Sequence, residues 1–202
     1  MNDLVDRRGF FKSAFLEITK KVLALSQDKG DGAPKKKRRW LRPPGAVEES
    51  LFFSRCTRCN ECIKVCPHQC IRGVDSDTDA GIGTPVIVPR IAPCKLCTDL
   101  PCIKVCKDKA LMPVDDIRKI KIGVALIDRT RCLNYTGDGS SLCRKCYTEC
   151  PLKDEAIYLE DSRPVVRAER CAGCGICENV CEGVNSPSSV RVFPPPNMSL
   201  LR

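Results

Sequence analysis

Apolar residues near the start of the chain fall at Phe11, Phe15, Ile18, Val22 and Leu25. This 4-3-4-3 spacing places them on one face of an amphipathic helix, with Glu17, Lys20 and Lys21 on the others. Beyond residue 55 the helical period gives way to brief β-type runs. Pro85-Val86-Ile87-Val88 leads toward Cys94, Val124-Ala125-Leu126-Ile127 toward Cys132, and Pro164-Val165-Val166 toward Cys171. Ala110-Leu111 and Ala156-Ile157 precede the last two of these runs, and Ser189-Val190-Arg191-Val192-Phe193 reads as a closing strand. The pattern predicts an α+β fold in which a cysteine loop, a short helix after its last cysteine and a β-hairpin recur. The expected organisation is an amphipathic helix over 1–25, a basic linker over 26–55 and a body over 56–202.

The cysteines define the recurrence. Cys171, Cys174, Cys177 and Cys181 form a complete C-x2-C-x2-C-x3-C, and three variants precede it: Cys56, Cys59, Cys62, Cys66; Cys94, Cys97, Cys102, Cys106; and Cys132, Cys143, Cys146, Cys150. The first cysteines are separated by 38, 38 and 39 residues, so these are repeated units and not scattered metal sites. Three cysteines on a tight loop suit one face of an iron–sulfur cube, and in two-cluster ferredoxins the fourth ligates the neighbouring cluster. Gly173 and Gly175 are expected to let the backbone approach the sulfurs. Structural zinc ordinarily uses two separated C-x2-C pairs, and an odd count of 17 cysteines in such spacings argues against a disulfide framework.

Composition modifies this picture in two ways. Aromatic residues make up only 5% of the chain, so a conventional core is thin and ligation is expected to supply folding free energy, leaving the protein largely unfolded without iron. The net charge of +9 counts cysteines as neutral. Four oxidised four-iron clusters with their thiolates contribute about −8. Residues 1–55 carry 13 Lys/Arg against 7 Asp/Glu, so the body becomes acidic while the arm stays basic. Nucleic-acid binding rests only on Lys35-Lys36-Lys37-Arg38-Arg39 and lacks any reader motif, so no nucleic-acid partner is expected.

Asp6-Arg7-Arg8-Gly9-Phe10-Phe11-Lys12 is similar to a twin-arginine export motif, but charges interrupt the apolar stretch that follows. A retained helix is favoured, on the cytoplasmic side or at the cytoplasmic face of a membrane, with periplasmic export the alternative. The apolar stripe, or the basic run beside Trp40, offers peripheral membrane contact; packing on the body and a solvated tether are the plainer readings. No stretch reaches the 18 or so apolar residues of a spanning helix. There is no phosphate-cradling loop, dinucleotide fingerprint or nucleophile with a base, so no catalytic residue is assigned. Cys70 is the seventeenth cysteine, expected one helical turn beyond Cys66 as a buried small residue or a spare thiol. His68 is the sole histidine, and Tyr135 and Tyr147 flank cysteines of the third repeat.

Arg42-Pro43-Pro44-Gly45, the Glu48-Glu49-Ser50-Leu51-Phe52 that follows, and Cys132-Leu133-Asn134-Tyr135 with its delayed Cys143 make the chain resemble the polyferredoxin-type NapG/MauM and NapF groups. With Cys94-x2-Cys97-x4-Cys102-x3-Cys106, the resemblance covers nearly the whole chain. It implies four [4Fe–4S] clusters held by the sixteen motif cysteines in two ferredoxin-like two-cluster modules. In one branch, electrons pass from a membrane-bound, quinol-linked donor to a redox enzyme; in the other, the protein is a maturation factor for such an enzyme. Related four-cluster subunits nest their halves. That would place Cys181 with Cys56, Cys59 and Cys62, Cys66 with Cys171, Cys174 and Cys177, Cys150 with Cys94, Cys97 and Cys102, and Cys106 with Cys132, Cys143 and Cys146. Sequential pairing fits the even period nearly as well.

Overall fold

The computed structural model describes residues 40–76, 78, 80–136 and 143–195. The expected amphipathic helix over 1–25, its twin-arginine-like motif and the basic run at 35–39 lie outside the described residues. Among the described residues no helix is long and apolar enough to cross a membrane.

Residues 40–55, expected to be the end of a linker over 26–55, are folded. Trp40 packs half-buried against Val74, Ala80 and Val86, which commits its ring to the body. Helix α1 (Glu49–Arg55) starts at Glu48, whose carboxylate accepts from the Ser50 amide, and it buries Phe52 completely. Arg42 holds this segment in place. It is 5% exposed, donates to Glu49, Thr84 Oγ1 and the carbonyls of Ala80 and Pro85, and lies over the rings of Phe52 and Phe53. A guanidinium this buried requires such a full set of partners.

Six short strands follow. β1 (Ile71–Gly73) pairs antiparallel with β2 (Pro85–Ile87). β3 (Val124–Ile127) pairs antiparallel with β6 (Val190–Phe193), with Val124 opposite Phe193. β4 (Ile157–Glu160) and β5 (Arg163–Val166) form a hairpin. Its two-residue turn, Asp161-Ser162, has φ of 47° and 64°, the left-handed pair that matches strand twist. Leu111 bridges to Ala46, so residues 46–111 close on themselves around β1–β2, as residues 124–193 close through β3–β6 around β4–β5.

The helices differ from expectation. α2 (Glu61–Lys64), α3 (Pro101–Lys104) and α5 (Lys145–Thr148) each carry the third cysteine of their repeat at their second position, and the fourth cysteine falls just beyond the helix instead of starting one. After Cys66 the chain makes a single turn, with the Gln69 amide on the Cys66 carbonyl at 3.1 Å. Gln69 then adopts φ 48° and redirects the chain into β1. Lys109 and Asp154 take the same left-handed conformation at the corresponding turns. α4 (Leu133–Thr136) is an extra turn inside the third repeat, and α6 (Ile176–Glu182) carries both Cys177 and Cys181.

The core runs through both closed segments. Segment 87–94 lies along segment 172–179: the Cys94 amide donates to the Cys174 carbonyl at 2.9 Å, Asn179 Nδ2 to the carbonyls of Pro89 and Arg90, and Arg90 to Glu178. Glu178 is buried, and its second oxygen accepts from the Val192 amide at 2.7 Å, which fixes α6 to β6.

Candidate iron–sulfur sites

All seventeen cysteines are unpaired. The sixteen motif cysteines line four solvent-open recesses of about 320–410 Å³, four to each. Recess I holds Cys56, Cys59, Cys62 and Cys106. Recess II holds Cys66, Cys94, Cys97 and Cys102. Recess III holds Cys150, Cys171, Cys174 and Cys177, and recess IV holds Cys132, Cys143, Cys146 and Cys181. Each fourth cysteine therefore crosses to the recess of the adjacent repeat. The nested grouping is not the one seen: repeats one and two exchange their fourth cysteines between recesses, as do three and four. The strand closures explain it, since each closed segment contains two whole repeats whose helices pack side by side.

Among the described residues no three ligating side chains converge on a point that would hold a single metal ion. The thiols instead ring an open space. An all-thiolate set of four spread around a recess suits a multi-iron cube, whereas zinc needs four ligands at about 2.0–2.3 Å from one centre. The residues thus fit the group that the motif implies.

The recesses form a series. Cys102 of recess II feels Cys62 of recess I, Cys174 of recess III feels Cys94 of recess II, and Cys177 of recess III feels Cys146 of recess IV. The order is I, II, III, IV, with the Cys94–Cys174 backbone bond at the middle. Of the seventeen cysteines, Cys59 in recess I is the exposed one.

The third repeat shows how an interrupted motif is repaired. Asn134, buried at the base of α4, donates from Nδ2 to the Cys143 carbonyl at 2.8 Å and the Ser162 carbonyl at 2.7 Å. The delayed cysteine is thereby returned to its place beside Cys132. The glycines of the fourth repeat serve packing more than cluster approach. A Cβ at Gly173 (φ 69°) would sit 2.1 Å from the Gly123 amide nitrogen, and one at Gly175 (φ 87°) 2.5 Å from the Pro89 ring. Tyr135 donates to the Pro164 carbonyl and Tyr147 to Asp154, so both hydroxyls have protein partners. His68 is exposed at the edge of recess II.

Sequence reasoning placed Cys70 on a helix beyond Cys66. The turn at Gln69 instead brings it back, with its Sγ 3.5 Å from Cys66 Sγ and lining recess II beside Cys94. A fifth cysteine at that recess was visible as an odd count but not as a position. Ser189 stands similarly at recess IV, with Oγ 3.2 Å from Cys181 Sγ.

Electrostatics follow burial. Desolvation, then the neighbouring thiols, pushes Cys62, Cys102, Cys146 and Cys174 up to about 12. Cys181 differs: burial pushes it up, but the hydroxyls of Ser188 and Ser189 and the amides of Ser189 and Val190 outweigh this and hold it below its ordinary value. Without iron, a thiol raised from 9.0 to about 12 contributes stability that is fully present below pH 9.0 and is lost as pH rises toward 12. Iron requires thiolate, so loading must expel these protons. We expect apparent affinity in anaerobic reconstitution to rise by at least about tenfold per pH unit from about pH 7 to about pH 8, with proton release detectable in weak buffer. A flat dependence would mean that these thiols are already ionised.

These recesses, with the ferredoxin-like exchange of fourth ligands, define an iron–sulfur protein of the ferredoxin type. Residues 51–72 match the family model described as a 4Fe-4S binding domain. The chain is 40% identical over 174 residues to the methylamine utilization ferredoxin-type protein MauM of Methylorubrum extorquens, covering 81% of this chain and 77% of that one. It is 40% identical over 167 residues to the ferredoxin-type protein NapG of Escherichia coli, covering 76% and 70%. The ferredoxin-type protein NapF of Haemophilus influenzae is 30% identical over 147 residues, covering 70% and 74%. No solved structure is a significant match. The chain belongs to the NapG/MauM/NapF group of ferredoxin-type proteins.

Proposed function

We propose that this protein is an electron-transfer subunit with four [4Fe–4S] clusters, carried in two ferredoxin-like two-cluster modules spanning residues 46–111 and 124–193. When bound, such clusters supply one-electron redox chemistry over a wide range of potentials. The observation that carries the reading is the serial order of four recesses, each with four cysteines. The protein positions sulfur ligands, shields them with apolar packing and leaves recess I nearest to solvent at Cys59. Recesses I and IV are the ends of the series, so a donor and an acceptor dock at opposite ends. The partners are a membrane-associated, quinol-linked donor and a redox enzyme, a context supported by the names of the relatives. The protein works on the cytoplasmic side, at the face of the membrane, with periplasmic export the competing location. It has no substrate site of its own, since every recess supplies a full set of four thiols.

The test is anaerobic iron and acid-labile sulfide content together with an EPR-monitored redox titration. About sixteen of each per chain with four reducible, mutually interacting centres is expected. Tightly bound zinc, or iron far below that count with no reducible signal, overturns the reading. A maturation factor with the same clusters would instead bind its partner's apo-enzyme and be dispensable once that enzyme is assembled.

A further inference from the structure

We propose that Cys70 is a positioning residue for recess II, donating its S–H to the cluster-ligating sulfur of Cys66 and thereby setting that centre at a higher potential than it would otherwise have. The inference rests on the four-cluster reading above and goes beyond it, because the motif assigns Cys70 no role.

Three observations converge. Cys70 Sγ lies 3.5 Å from Cys66 Sγ, within reach of an S–H···S hydrogen bond. Cys70 also lines recess II together with all four of its motif cysteines, which come from two different repeats. Cys70 is 3% exposed, so its thiol is almost wholly surrounded by protein. Once Cys66 is an iron-bound thiolate, the remaining proton of the pair is the one on Cys70, and its direction of donation is fixed. Reduction adds negative charge that spreads onto the ligand sulfurs, so a donor aimed at them stabilises the reduced state more than the oxidised. The consequence is local to one end of the Cys94–Cys174 junction between the two closed segments.

The arrangement is not a generic feature of these recesses. Around recess IV the corresponding contact comes from a hydroxyl, Ser189 Oγ on Cys181, and at recess I a backbone amide, Leu111, meets Cys106 Sγ at 3.3 Å. Recess II alone among the four has a thiol in this position.

The experiment uses the full-length, fully loaded protein. Its infrared spectrum in the S–H stretching window reports the thiols that are not ligands. A single band is expected, displaced below the frequency of a free thiol, moving further down on reduction and absent from Cys70→Ala. In redox titrations of Cys70→Ala, one of the four centres should need about a tenfold higher reduced-to-oxidised driving ratio, about 59 mV lower in midpoint for a one-electron couple. Cys70→Ser, which keeps a donor, should recover most of the shift. A band at the free-thiol frequency, no band at all, or four unchanged potentials in fully loaded Cys70→Ala overturns the proposal. If Cys70→Ala loses iron, the band of the unsubstituted protein decides. Several S–H bands with iron well below sixteen would instead mark failure of the four-cluster reading.

Discussion

Replacing Cys66 and Cys94 with alanine, singly and together, is expected to cost the same cluster. Each single variant should lose about four of about sixteen irons, and the double variant no more than either. The pair Cys66→Ala and Cys171→Ala should lose about eight, because those residues line recesses II and III. Nested exchange of ligands predicts the reverse, with the Cys66/Cys171 pair acting as one site and the Cys66/Cys94 pair as two. Iron and sulfide determinations on anaerobically purified variants separate the outcomes without any knowledge of the partner proteins.

Gly173→Ala is the substitution of largest expected structural effect outside the ligands. A left-handed φ of 69° costs an L-residue about 1 kcal/mol. The added carbon would also stand 2.1 Å from the nitrogen and 2.3 Å from the carbonyl carbon of Gly123, both backbone atoms that no rotamer change can move. Gly123 is itself closely packed, since a Cβ built there would stand 2.5 Å from the Phe193 carbonyl oxygen and 2.7 Å from Leu41. The loop carrying Cys171 and Cys174 must separate from the entry to β3, at a total cost of about 3 kcal/mol or more. We expect loss of the recess III cluster and faster bleaching of the remaining visible absorbance in denaturant. Gly183→Ala is the control. Its φ is −71° and its nearest contact is at 3.6 Å, so it should change stability by less than about 1 kcal/mol. Equal effects for the two substitutions would mean that the Gly123 contact does not constrain the loop.

The α+β class and the ferredoxin-type character were legible because cysteine spacing and strand periodicity are local. Ligand exchange was not legible: a period of 38, 38 and 39 residues is compatible with neighbours or with nested halves, and the choice is made by which strands close on which. Nor was the helix placement, because a single left-handed residue, Gln69, ends a run whose polarity continues smoothly. Arg42 looked like part of a basic arm, yet its charge is satisfied within the core by Glu49, Thr84 and two carbonyls, none of which is near it in sequence except Glu49. Gly173 was read as making room for sulfur, whereas the atom it accommodates is the backbone of a residue fifty positions earlier. Asn134 belonged to a recognised run of residues, but its task of fastening Cys143 became visible only with the loop closed.

Exchange between adjacent repeats also bears on the order in which the protein can be made. The ligand sets of recesses I and II are complete once Cys106 has been synthesised, and nothing after it is needed to fill them. Nested exchange would have left every recess waiting for Cys146 or later. Domains emerge from the ribosome N-terminal end first, and short loops close at lower entropic cost than long ones. On the four-cluster proposal, a half-made chain can therefore accept iron in its first two recesses while the second half is still being translated, which shortens the time that bare thiols are exposed to oxidation and mispairing.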